Sequence, residues 1–237
     1  SMTNNIGLAG VRNFISNKAQ GKYIALLDSD DLCTPSRFIE QVRMLESGIC
    51  DICASEYYTL DMSNGRKRAR HCYESDADLK ALLTIYNPIC NSTTMISREV
   101  MLKYPYQDHL RGGPEDYDLW VNLAIAGYRF RTIKNPLVTY RLHTGQISKQ
   151  KEDLMIQLFD QSRMRYIQYL GLDDLPKRLP FTKRFEEARI FLRHLNSKIS
   201  GISGSVNRDI YSRFQYRGNG VLTPFVRLEK WIFSGLF

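Results

Sequence analysis

Tyr23-Ile24-Ala25-Leu26-Leu27-Asp28-Ser29-Asp30-Asp31 decides the fold. An unbroken apolar run stops abruptly in carboxylates, the pattern of a parallel strand buried on both faces whose C-terminal end opens into a loop. Upstream, Ile6, Ala9, Gly10, Asn13 and Phe14 recur at helical spacing as far as about Ala19. Downstream, Pro35 suits a first helical position, and a helix runs to Glu46 with Gly48 as its stop. A second strand spans about Asp51 to Leu60. Asn64-Gly65 then turns the chain into a returning strand that carries Arg66-Lys67-Arg68-Ala69-Arg70.

A short helix capped by Asp76, a strand at Thr93 to Ser97 and a Gly/Pro-rich loop from Gln107 to Pro114 follow. Residues 115–126 form an amphipathic helix closed by Gly127, and strand text covers Tyr128 to Ile133 and Leu137 to Arg141. Beyond Gly145 the alternation gives way to helices over 149–169, 181–199 and about 206–216. Strands alternating with helices predict an α/β core with a mostly parallel sheet over residues 1–148, followed by a helical extension over 149–237.

The chain has 237 residues, 43% hydrophobic and 24% charged, and can bury a sizeable core. Its formal charge of +8 favours anionic partners but does not choose among them. The excess is uneven: residues 1–150 hold 18 basic and 16 acidic side chains, whereas residues 151–237 hold 15 and 9. No apolar run reaches the roughly 18 to 20 residues that span a bilayer, and no signal peptide is recognisable. Five scattered cysteines, an odd number, fit a reducing compartment better than a disulfide framework.

Four places could carry chemistry. Asp28, Asp30 and Asp31 lie where open α/β sheets bind ligands, and their mutual repulsion is relieved by a hard divalent cation such as Mg²⁺ or Mn²⁺. Read alone, the same acids also fit a solvated turn that caps the next helix. Glu115 and Asp116, at a helix start after Gly112-Gly113-Pro114, fit either charge compensation of the helix dipole or a general base. His143 ends the last strand and could add a metal ligand, and Arg141 beside it could face a phosphate, although one histidine is weak evidence. Near the start, Asn5-x-Gly7 with Arg12-Asn13 could place Gly7 close to a nucleotide and Arg12 toward its charge, although taken alone this segment is more often structural.

Together these blocks resemble the family 2 glycosyltransferases of GT-A fold. The matching text is Asn5-x-Gly7 with Arg12-Asn13, Ala19-x-Gly21-Lys22-Tyr23-Ile24, and Leu27-Asp28-Ser29-Asp30-Asp31 with Pro35 and Arg37. It continues in Glu115-Asp116-Tyr117-Asp118-Leu119-Trp120, Gly127-Tyr128, and Pro136-Leu137-x-x-Tyr140-Arg141-x-His143 with Ser148 beyond. The resemblance covers about residues 4–148. It implies a nucleotide-sugar donor, usually UDP-linked, bound by Asn5, Gly7, Arg12, Asp28, Asp30, Asp31 and Arg141. It further implies Mn²⁺ or Mg²⁺ on Asp30, with Asp28 and His143 as further ligands, and Asp116 as catalytic base with Glu115 as second choice. The reaction would be a single inverting displacement by a saccharide or lipid-linked acceptor hydroxyl, in polysaccharide biosynthesis. The Gln-x-x-Arg-Trp element of processive synthases is absent.

Relatives open with a strand, helix and strand for which nothing here corresponds. Ser1-Met2 resembles a cleavage scar, and the family fold would need roughly 70 to 90 residues before Asn5. The expectation is that the chain alone is inactive and that its shortened sheet exposes an edge that invites homodimerisation.

Cys50-x-x-Cys53 with His71-Cys72 invites zinc but lies in strand text, where buried free thiols fit better. The Arg66–Arg70 cluster reads as a solvated hairpin tip, and Asn91-Ser92-Thr93 as a chance match to a glycosylation acceptor. Residues 221–237 mix aromatic and aliphatic side chains with Arg227 and Lys230, suited to the surface of an anionic membrane at its cytoplasmic face. Two rivals remain: a non-catalytic protein that keeps the fold for interaction, and a nucleic-acid-binding module. The second explains the charge but none of the ordered motifs, and nucleic acid is not an expected partner.

Overall fold

The computed structural model describes residues 6–110, 113–143, 152–173 and 184–215. Its elements in chain order are α1 Gly7–Lys18, β1 Tyr23–Ala25, β2 Leu32–Cys33, α2 Arg37–Glu46, β3 Ile52–Asp61, β4 Lys67–Arg70, α3 Asp76–Leu82, β5 Met95–Ser97, α4 Arg98–Lys103, α5 Glu115–Ile125, β6 Phe130–Leu142, α6 Glu152–Tyr169, α7 Arg184–Lys198 and α8 Gly204–Gln215. Asn5, Gly112, Ser148, the boundary at 148/149 and residues 221–237 lie outside the described residues.

The α/β class matches the expectation, but the sheet is mixed. Its strand order is β1-β5-β3-β6-β2, with β4 also on β3. Only β3 and β6 run parallel; β1–β5, β5–β3, β3–β4 and β6–β2 are antiparallel. The physical reason is that the apolar run beginning at Tyr23 reports burial and carries no strand direction. Among the described residues β1 pairs only with β5, and the short strands β2, β4 and β5 fill in antiparallel around the long β3–β6 pair.

The Asn64-Gly65 turn is as read, with Gly65 at φ +70, and Asp61 anchors it by accepting from Ser63 N and Asn64 Nδ2. Tyr128–Ile133 and Leu137–Arg141 are not two strands. They are parts of β6, which passes through an irregularity where Pro136, lacking an N–H, faces Glu56. α3 is capped by Ser75, whose hydroxyl accepts from Asp78 N at 3.1 Å, and not by Asp76. On α1 the buried residues are Ala9 and Ser16, while Phe14 is exposed.

The main core lies between the sheet and α3, α4 and α5, around Leu79, Leu82, Ile96, Trp120 and Phe130. Phe159 and Tyr166 of α6, Leu195 of α7 and Val206 and Ile210 of α8 belong to the same cluster. Tyr117 stacks on Phe159 with ring centroids 3.9 Å apart. All five cysteines are free, Cys50 and Cys53 are buried, and no group of three or more His, Cys, Asp or Glu among the described residues could hold a metal. No described helix is long and apolar enough to cross a membrane.

Candidate active site

The acidic loop leaves β1 as a hydrogen-bonded turn, with Asp31 N donating to Asp28 O at 3.0 Å. Two neighbours fix where it starts: Leu26 N bonds Thr94 O at 2.8 Å and Asp28 N bonds Ser92 Oγ at 3.2 Å. Beneath it lies Arg37, fully buried, donating to Gln41 Oε1 and to the carbonyls of Leu26 and Thr94. Burial without a carboxylate among its bonds lowers the proton affinity of this guanidinium. Arg37 thus holds the β1 exit to the 3₁₀ turn Asn91–Thr93, so the motif residue supports the loop from below.

Each acid of the loop has a different partner. Asp28 Oδ1 accepts from Arg12 Nη2 at 2.8 Å, and Arg12 rests 5.3 Å from the Tyr106 ring centre. Asp30 Oδ2 meets His143 Nε2 at 2.8 Å, and its carbonyl accepts from Arg141 Nε. Asp31 is buried; one oxygen accepts from Arg141 N at 3.0 Å, and Oδ2 is buried with no hydrogen-bond partner among the described residues. Burial raises its proton affinity above the usual carboxylate range, against the pull of Ser92 and the Arg141 amide. Arg141 and His143 therefore reach the loop from the end of β6, as their position after the last strand suggested.

Asp116 stands on the first turn of α5 and is partly buried. Its Oδ2 accepts from Asn87 Nδ2 at 3.0 Å. Burial raises its carboxyl above the ordinary range and Asp28 adds to the rise, while Arg12, the Tyr117 amide and Asn87 oppose it. Arg12 pairs with Asp28 and also acts electrostatically on Asp116, coupling the acidic loop to the α5 acid. Burial raises the Cys90 thiol well above the ordinary value, and Asp31 adds to the rise. Arg141 and His143 are thus bonded to the acidic loop, and Asp116 is coupled to it electrostatically through Arg12 and Asp28.

Not every expected residue lands there as expected. Glu115 is buried, unlike the partly exposed Asp116 beside it. Gly7 opens α1 with φ +72, a conformation a side chain would resist. Asn13 bonds the Tyr106 backbone in both directions, at 2.8 and 2.9 Å, which pins α1 to the loop before α5. Asn91 is buried and accepts from the Tyr106 hydroxyl, which agrees with a chance glycosylation match.

Sequence reasoning missed Asn87, Ser92 and Tyr106. Asn87-Pro88 carries a turn signal and could have been flagged; the other two have no local signature. Gly113 was read only as loop text. A Cβ there would meet Leu158 Cδ1 at 2.6 Å and Leu110 O at 2.9 Å, so the turn before Asp116 needs its bare backbone against α6.

Residues 1–104 match the family model described as Glycosyl transferase family 2. A curated relative from Escherichia coli, "UDP-Glc:alpha-D-GlcNAc-diphosphoundecaprenol beta-1,3-glucosyltransferase WfaP", is 30% identical over 151 residues, covering 61% of this chain and 55% of the relative. The glycosyltransferase MJ1057 of Methanocaldococcus jannaschii is 29% identical over 155 residues, covering 62% and 53%. The chain spans about half the length of the curated relatives it matches. Among solved structures, S. aureus TarS 1–349 in complex with UDP-GlcNAc superposes with a TM-score of 0.54 at 12% identity, covering 94% of this chain and 77% of TarS. That likeness shows the fold: a mixed sheet flanked by helices, similar to GT-A glycosyltransferases. The family resemblance read from the sequence blocks therefore holds.

Proposed function

On the family 2 match of residues 1–104, we propose that this chain carries the donor-side machinery of an inverting glycosyltransferase that moves a sugar from a UDP-linked donor to a saccharide hydroxyl. The observation that carries the reading is Arg12, which ion-pairs with Asp28 at 2.8 Å and acts electrostatically on Asp116, making the acidic loop and the start of α5 the two walls of the proposed donor cleft. WfaP's name gives a UDP-sugar donor and a diphosphoundecaprenol-linked acceptor, and the likeness to that relative supports the same classes of donor and lipid-linked acceptor in the proposal.

Asp116 acts as base. Its raised proton affinity makes it a stronger base than an ordinary carboxylate toward the proton of an acceptor hydroxyl. The acceptor oxygen then attacks the anomeric carbon opposite the donor diphosphate, the carbon–oxygen bond to the diphosphate breaks, and the configuration inverts. Asn87 fixes the Asp116 carboxylate, and Arg12 spans the gap to Asp28.

The donor set fits a hard divalent ion bound jointly with a diphosphate. Such ions take one or two carboxylates and complete their shell with phosphate and water, and here Asp30 with His143, beside the unpartnered Asp31 Oδ2, provides that and no more. Mn²⁺ or Mg²⁺ held by Asp30 and His143 would neutralise charge on the leaving nucleoside diphosphate. Asp28, paired with Arg12, is the weaker candidate ligand.

The test is a screen of nucleotide sugars for Mn²⁺-dependent binding and hydrolysis, with any native residues that precede Ser1 restored. UDP-sugar binding should fall at least about tenfold on chelation or in Asp30→Asn, as loss of a metal-bridging carboxylate predicts. Equal binding with and without metal would overturn the cation's role, and no nucleotide-sugar binding would overturn the transferase reading.

A further inference from the structure

Arg70 breaks the pattern of the basic cluster to which it belongs. Arg66 and Lys67 are exposed, as a hairpin tip should be, whereas Arg70 is drawn in and its Nε and Nη2 atoms are buried with no hydrogen-bond partner among the described residues. The solvated reading of the cluster fails at this residue. Buried guanidinium N–H groups are costly when unpaired and in native proteins almost always have a partner, protein, water or ligand.

The sheet explains where they face. In the β3–β4 register Arg70 lies opposite Tyr57, and in the β3–β6 register Tyr140 lies opposite Thr59, two residues along from Tyr57. Opposed residues share a face and so do residues two apart, so Arg70, Tyr57 and Tyr140 stand on one side of the sheet. The tyrosine rings meet edge to face with centroids 6.4 Å apart. Tyr140 precedes Arg141, whose amide holds Asp31, so the row leads directly from the acidic loop. The row therefore runs from the acidic loop to Arg70: two half-buried aromatic rings, then a planar cation.

We propose that Arg70, with the Tyr57–Tyr140 pair, binds a phosphate or carboxylate carried by the acceptor saccharide. The inference rests on the transferase reading for the word acceptor, and its chemistry is a bidentate Arg–oxyanion contact beside a stacking platform.

NMR titration of the protein in saturating UDP and Mn²⁺, so that the donor side is filled, tests it with three probes: glucose 6-phosphate, methyl glucuronide and neutral methyl glucoside. At least one charged sugar should bind about 10-fold or more tightly than the neutral one, and which one does so identifies the anion. Arg70→Gln should weaken that probe by roughly 10- to 100-fold, as for a lost charge-assisted pair. Arg70→Lys, which keeps the charge and loses the fork, should weaken it by less. Lys67→Gln, on the opposite face over Tyr58, should change it by no more than about twofold.

Equal affinity for charged and neutral probes, no effect of either Arg70 change, or an equal loss in Lys67→Gln would each overturn the proposal. Comparison of the wild-type probes alone decides the matter if Arg70→Gln fails to fold. Failure of the protein to bind UDP would count against the transferase reading and leave the Arg70 comparison legible without UDP.

Discussion

Asp116 and Asp118 stand two residues apart on the first turn of α5, with the same chemistry and the same helix dipole behind them. Asp118 is 1% exposed and saturated: Ser162 Oγ donates at 2.6 Å, Arg165 Nη2 at 2.7 Å and Asn122 Nδ2 at 2.9 Å. Among the described residues Asp116 receives one side-chain hydrogen bond, from Asn87, and its proton affinity is raised by burial and by Asp28. The saturated carboxylate clamps α6 onto α5. The less satisfied one is the base of the proposed mechanism, where a carboxylate that gives up and takes up a proton is useful. On that reading, supply of donors, and not position in the motif, separates the structural acid from the chemical one.

The widest test of this contrast is Asp116→Asn. Loss of a general base costs roughly 10² to 10⁴ in transfer rate, and the fold should persist because the amide fits the same place. Asp116 also binds a proton more readily folded than unfolded, so folding stability falls as pH rises from the ordinary carboxylate value through the raised one. Asn removes that fall, and urea melts at several pH values would show it. Unchanged transfer would leave the non-catalytic reading standing.

Asp118→Ala should do the reverse. It strands Ser162 and Arg165, and about 2 kcal/mol of stability should go, below the range for fully buried pairs because the Arg165 side chain is 43% exposed. Transfer per folded molecule should change far less than in Asp116→Asn. A rate loss as large as that of Asp116→Asn with no stability loss would break the contrast.

What could be read from sequence follows the same division. Glu115, Asp116 and Asp118 look alike in a helix start, and only Ser162 and Arg165, more than 40 residues away, tell them apart. The acidic loop was legible because an apolar strand ending in Asp28 is a local signal. Strand direction was not, because it depends on the pairing of Tyr23 with Ser97 and of Leu32 with Thr139, contacts that periodicity cannot see. Arg12 was expected near charge, but its particular partner, Asp28, emerges only when α1 packs beside Tyr106. The buried end of the Arg66–Arg70 cluster was invisible because charge composition says nothing about which arginine turns inward.

The finest test uses pH. As a base Asp116 must be ionised, so the rate should rise with pH through an acid limb lying above the ordinary carboxylate value of about 3.9. Arg12 opposes the rise in Asp116's proton affinity, and its side chain is only 13% exposed, so solvent screens it weakly. Arg12→Met should therefore move the limb to higher pH, by a fraction of a unit to about one unit as for loss of a nearby cation. It also frees Asp28, whose negative charge pushes in the same direction. Asp118→Ala, which alters the clamp and not the cleft, should leave the limb in place. A limb unmoved by Arg12→Met, or moved by Asp118→Ala, would mean that the titrating group is not Asp116.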